Sequence, residues 1–128
     1  MARPKSKEPT ERELAILQIL WTKGEASVRD VHEELKTTVK VGYTSVQKIM
    51  QIMFDKGLVL RDKSGKSHIY RATRSKAETQ TKITRNLLDR VFAGSATHLV
   101  ATALNARKVS KQELQAIKEL LETLDESS

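Results

Sequence analysis

The chain has 128 residues, a formal net charge of +7 and no cysteine. That length suits one ordinary domain, or a compact reader with a smaller helical appendage, and excludes two large domains. Disulfides, thiolate metal sites and thiol nucleophiles are excluded with the cysteines. No run approaches the roughly 20 apolar residues that span a bilayer, and Met1 to Pro9 is basic with no apolar core behind it, so a soluble, cytoplasmic protein is expected.

Ahead of four helical runs a Ser or Thr is followed three positions later by an acid, a spacing that lets the pair satisfy orphan N–H groups at a helix start. The pairs are Thr10 with Glu13, Ser27 with Asp30, Ser75 with Glu78, and Ser110 with Glu113. Thr10 opens a first helix in which Leu14, Leu17, Leu20 and Trp21 recur at helical spacing, and Gly24 supplies its stop. Ser27 opens a short second helix with Val28, Val31 and Leu35 in one stripe, and polar residues Lys36 to Lys40 lead onward. From Tyr43 to Lys56, Val46, Ile49, Met50, Met53 and Phe54 gather on one side of a third helix, which Gly57 ends. Leu58 to Lys63 and Ser67 to Ala72 then read as a β-hairpin around Ser64-Gly65-Lys66, and Glu25 to Ser27 can add a short third strand. Trp21 and Tyr70 are expected to pack in the core.

After Arg74 the pattern is helical throughout. One helix ends near Gly94 and carries Ile83, Leu87, Leu88, Val91 and Phe92; a second spans about Ser95 to Asn105 with Leu99, Val100 and Leu104; the last runs from Ser110 with Leu114, Ile117, Leu120, Leu121 and Leu124. A unit below about 60 residues has a marginal core. Residues 75–128 are therefore expected to form a dimerisation region that buries Leu87, Leu88, Val91, Phe92, Leu99, Val100, Leu104, Leu114, Ile117 and Leu121 against a second copy. The expected fold is mainly α with a small β-hairpin wing: a winged helix-turn-helix over residues 1–74, then the helical dimerisation region.

Through Arg74 there are 15 Lys/Arg against 9 Asp/Glu, and from Ser75 onward 8 against 7, so the excess positive charge belongs to the first part. Such a patch favours a polyanionic partner. The third helix carries Thr44, Lys48 and Gln51 opposite its apolar side, a front with the dimensions and donors for a DNA major groove. Gln51 suits adenine and Lys48 suits guanine or a phosphate. Thr44, Ser45 and the N–H groups around them suit a phosphate oxygen, with Tyr43 and Gln47 at the margins. Asp55 would meet phosphate with like charge. Lys63, Ser64 and Lys66 mark the hairpin tip, Arg61 and His68 are secondary candidates, and Arg3, Lys5 and Lys7 form a basic arm. His32, His68 and His98 are dispersed, and no HExxH, glycine-rich phosphate loop or nucleophile–base pair occurs, so no catalysis, metal or cofactor is expected.

The run Val41-Gly42-Tyr43-Thr44-Ser45-Val46-Gln47-Lys48-Ile49, continued by Lys56-Gly57-Leu58-Val59, resembles the recognition helix and wing of the penicillinase-repressor family of winged-helix regulators, typified by BlaI and MecI. Glu11 to Trp21 and Asn86 to Gly94 extend the likeness, which covers about Pro9 to Leu124. The resemblance implies a homodimer that binds a palindromic operator upstream of resistance or stress genes, represses transcription and dissociates when a membrane sensor protease pathway signals. Relatives are inactivated by cleavage at an Asn-Phe pair in the middle C-terminal helix, where this chain reads Thr102-Ala103. Ile52 stands where relatives often carry Arg, and the copper response of some relatives needs cysteines that are absent here. The alternative is a small-molecule-sensing, MarR-like regulator. Such a sensor needs a pocket with convergent polar groups, whereas the C-terminal stripes are Leu, Val and Ile.

Overall fold

A computed structural model describes residues 8–127; the basic arm Arg3, Lys5 and Lys7 lies outside them, as does the side chain of Ser64. The elements run α1 (Glu11–Lys23), α2 (Val28–Leu35), α3 (Tyr43–Asp55), β1 (Val59–Ser64), β2 (Ser67–Ala72), α4 (Lys76–Val91), α5 (Ala96–Ala106) and α6 (Lys111–Ser127).

The caps act as their spacing predicts. Thr10 Oγ1 accepts from the Glu13 N–H at 3.1 Å while Glu13 Oε1 accepts from the Thr10 N–H at 2.9 Å, and Ser27 with Asp30 repeats the exchange. The Ser27 backbone N–H, with its hydroxyl next, holds the Asp30 carboxyl below its ordinary range, and Lys23 and Arg29 add to this. Ser75 with Glu78 forms a third reciprocal box, and Ser110 accepts from the Glu113 N–H.

The hairpin is antiparallel, with Val59 opposite Ala72 and Ser64 opposite Ser67. That register makes the loop two residues, Gly65 and Lys66, one shorter than the sequence suggests. Gly65 has φ +61°, the sign that the first central position of a tight hairpin turn demands and glycine adopts without strain. The third strand shrinks to one bridge between Ala26 and Tyr70, with N–O distances of 2.9 and 2.8 Å. It stops there because Val28, whose N–H would make the next ladder bond, is already the first residue of α2.

Stripes from α1 (Ile16, Leu17, Leu20), α2 (Val28, Val31, Leu35) and α3 (Val46, Met50, Met53) converge with Val59 and Tyr70 of the hairpin into one core. Each such apolar side chain contributes about 1.5–3 kcal/mol on burial, so this head holds itself together. Trp21 is half-buried, and its Nε1–H donates to the Arg74 carbonyl at 2.9 Å, tying the end of the hairpin to α1.

One polar pair enters this core. Glu13 is buried and accepts from Lys56 Nζ at 2.7 Å, and the same ammonium donates to the Glu8 carbonyl at 3.2 Å. The start of α1 is thereby bound to the end of α3. The sequence marks Glu13 as a cap alone, and nothing local identifies its cation.

The chain divides into two compact units, Met1–Ile83 and Thr84–Ser128. Among the described residues, α4, α5 and α6 bury none of their side chains within a single chain. Val91 is 65% exposed, Leu121 56% and Leu124 58%.

Candidate nucleic-acid interface

The entry into α3 is held by its neighbours. His32 Nε2 lies 3.0 Å from the Val41 carbonyl, and because a carbonyl only accepts, this nitrogen carries the proton. The His32 ring also meets Tyr43 edge-on, 5.8 Å between centroids. The helix then starts at Gly42, which has no side-chain acceptor to offer. The other five helices among the described residues each begin at a Ser or Thr whose hydroxyl accepts an N–H of the first turn. First-turn donors of α3 are thus left for an external acceptor, and a phosphate oxygen is the anion that helix starts favour.

Burial of Val46, Met50 and Met53 turns Thr44, Ser45, Gln47, Lys48 and Gln51 to solvent, with Tyr43 45% exposed at the start. Between this face and the hairpin lies a groove of about 310 Å³, lined by Ser27, Val28, Arg29, Tyr43, Gln47, Gln51, Arg61, Lys66, Ser67, His68 and Tyr70. Arg29, Arg61 and Lys66 bring three cations to it, and no carboxylate is among the lining residues. Of the sequence candidates, Tyr43, Gln47, Gln51 and Lys66, with the secondary candidates Arg61 and His68, share this groove, whereas Thr44, Ser45, Lys48 and Lys63 are exposed outside its lining.

Arg29 is absent from the sequence candidates, and Arg61 ranks there only as secondary. The signal for Arg61 was available: on a strand it shares a face with Val59 two residues earlier, and Val59 is buried. Arg61 accordingly points at α3, its guanidinium carbon 4.0 Å from the Phe54 ring centroid. Its Nη1–H donates to Gln51 Oε1 at 2.6 Å, and Gln51 Nε2–H donates to Asp55 Oδ1 at 3.1 Å. Arg29 had no comparable signal, since only the packing of α2 on α3 brings it to the groove.

The sequence model of the family described as Penicillinase repressor matches residues 9–123. The chain belongs to the penicillinase repressor family. Its relatives include the methicillin resistance regulatory protein MecI of Staphylococcus aureus (strain N315), 21% identical over 117 residues that make up 91% of this chain and 95% of that protein. The Staphylococcus aureus penicillinase repressor is 18% identical over 117 residues, covering 91% of this chain and 93% of its own length. A solved structure described as a possible transcriptional regulator for arsenical resistance superposes on 66% of this chain and 86% of its own, with 18% identity and a TM-score of 0.48. As a member of this family the chain is a DNA-binding transcriptional repressor with a winged helix-turn-helix, whose wing is the hairpin. No helix among the described residues is long and apolar enough to cross a membrane.

Proposed function

We propose that this repressor acts as a homodimer on a palindromic operator, with α3 in the major groove and the hairpin against the flanking backbone, and that it controls a resistance or stress operon. The observation that carries the reading is the cationic groove shared by the exposed face of α3 and the hairpin. Dimerisation through α4, α5 and α6 is supported by their unburied apolar side chains, since two heads spaced by a symmetric joint match two half-sites one helical turn apart. The resistance assignment leans on the name of the MecI relatives. A membrane sensor protease pathway would supply the inducing signal. Thr102-Ala103, exposed in α5, is not an Asn-Phe pair, so release is not assigned to that cleavage.

The direct test is selection of bound fragments from the source genome at moderate ionic strength, followed by sedimentation of the free protein. Enrichment of inverted repeats by a dimer is expected, and a monomer with no preference among fragments would overturn the reading. On the selected duplex, Gln51→Ala is expected to lose about 1–3 kcal/mol of discrimination at one base pair per half-site. Equal affinity for matched and mismatched duplexes in the parent protein would remove Gln51 from that role. Lys66→Ala is expected to weaken all sequences alike and to lower the slope of log affinity against log salt by about one unit. Parallel slopes for variant and parent would exclude a phosphate contact by Lys66.

A further inference from the structure

We propose that Asp55 and Arg61 are positioning residues that lock the Gln51 side-chain amide in one of its two orientations, the one in which it reads a base. The inference rests on the reading of α3 as the recognition helix and goes beyond it by explaining two residues that such a helix does not otherwise need.

Gln51 and Asp55 lie one turn apart on the exposed face of α3, a spacing at which such side chains meet. The amide nitrogen donates to Asp55 Oδ1 at 3.1 Å, and Arg61 Nη1, reaching across from β1, donates to the amide oxygen at 2.6 Å. Arg61 is itself seated on Phe54, 4.0 Å from the ring centroid. A primary amide has two N–H donors and an oxygen that accepts twice. Each neighbour takes one share, so one donor and one acceptor remain for a base. That is the pair that matches N7 and the amino group of adenine.

The orientation is decided by charge. Turning the amide over would aim its N–H groups at the guanidinium and its oxygen at the carboxylate, two contacts of like polarity. With Arg61 on one side and Asp55 on the other, the oxygen faces the hairpin and the nitrogen faces the end of α3. Asp55 thereby acquires a reason to stand on a DNA-facing helix, where a carboxylate otherwise repels phosphate. The ordering is made before DNA arrives, so less rotamer freedom is lost on docking.

The experiment uses the full chain, the duplex selected from genomic fragments by the parent protein, every single base-pair variant of one half-site, and a scrambled duplex. For Asp55→Ala the two readouts are expected to move oppositely. Affinity for the scrambled duplex rises because an anion is gone, while discrimination at the base pair read by Gln51 falls about three- to tenfold, the worth of ordering one flexible side chain. Arg61→Lys keeps the charge but loses the planar stack and fork, so the same discrimination is expected to fall. In a Gln51→Ala background, Asp55→Ala is expected to change discrimination no further. Thermal melting of each variant verifies that the head remains folded.

If Asp55→Ala raises all affinities in the same ratio while Gln51→Ala still loses discrimination, the positioning role is overturned and base reading by Gln51 stands. A loss of discrimination by Asp55→Ala that persists without Gln51 also overturns it, because Asp55 would then act by itself. If Gln51→Ala leaves every base pair equally discriminated, base reading by Gln51 fails and the positioning role fails with it. A parent protein that selects no duplex removes the proposed function itself.

Discussion

Leu121→Asp is expected to convert the repressor to a monomer with an intact head and to weaken operator binding by on the order of a thousandfold. Within one chain Leu121 is 56% exposed, and among the described residues α4, α5 and α6 bury no side chain. Helices with that much apolar surface need a partner, and a symmetric joint buries each leucine twice, once per subunit. Full burial of a leucine is worth about 1.5–3 kcal/mol, and a carboxylate in its place adds an unpaired charge to the interface. Loss of the joint then turns binding of the second half-site from an intramolecular event into an independent one. The head keeps its fold because its core is made by α1, α2, α3 and the hairpin. Sedimentation at micromolar concentration and titration of the selected duplex read the two effects. Glu119→Ala, on the opposite side of α6 and exposed, serves as the control and is expected to change neither. A Leu121→Asp protein that stays dimeric and binds as the parent does would show that the joint lies elsewhere.

Lys56→Ala is expected to destabilise the head by about 3 kcal/mol and to lower its melting temperature by on the order of 10 °C. The pair is shielded: the side chains of Lys56 and Glu13 are 10% and 4% exposed, with 2.7 Å between Nζ and Oε1. Removing the ammonium leaves a carboxylate in the core with only the Thr10 N–H as a donor in the capping box, and an uncompensated buried charge costs more than the pair itself contributes. The double variant Glu13→Gln with Lys56→Met removes both charges, keeps an acceptor for Thr10, and is expected to recover most of the loss. Because the pair is shaded from solvent, the single variant's deficit should persist in high salt, where an exposed pair would already be screened. The consequence reaches the DNA face, since Lys56 follows the last residue of α3 and anchors that end to α1. Calorimetric melting of parent, single and double variants decides it. A single variant that melts with the parent, or a double variant no better than the single, would sink the account.

The elements of this repressor were legible because their causes are local. Caps Thr10, Ser27, Ser75 and Ser110 act within three residues, and the stripes of α1, α2 and α3 need only the helical period. Where local reading slipped, a neighbouring element was responsible: the strand at Ala26 ends because Val28, the next residue placed to bond β2, already belongs to α2. The candidate site was legible to the same depth. Alternation of faces along α3 exposes Gln47, Lys48 and Gln51 wherever the helix packs, but it is silent on what each exposed group will touch. Lys48 stays outside the groove, while Arg29 and Arg61 enter it.

Patterning along the chain sets the order of helices and hairpin, the side of each that turns inward, the concentration of positive charge in the head, and the surplus of apolar side chains in the C-terminal helices. These follow from backbone bonding and side-chain period over a few residues. Which charges are spoken for depends on the folded packing: Lys56 with Glu13, 43 positions apart, and Arg61 with Gln51, 10 apart and in different elements. Packing sets those distances, and a charge becomes a buried brace, a positioning group or a free contact for phosphate according to what lies within about 3 Å of it.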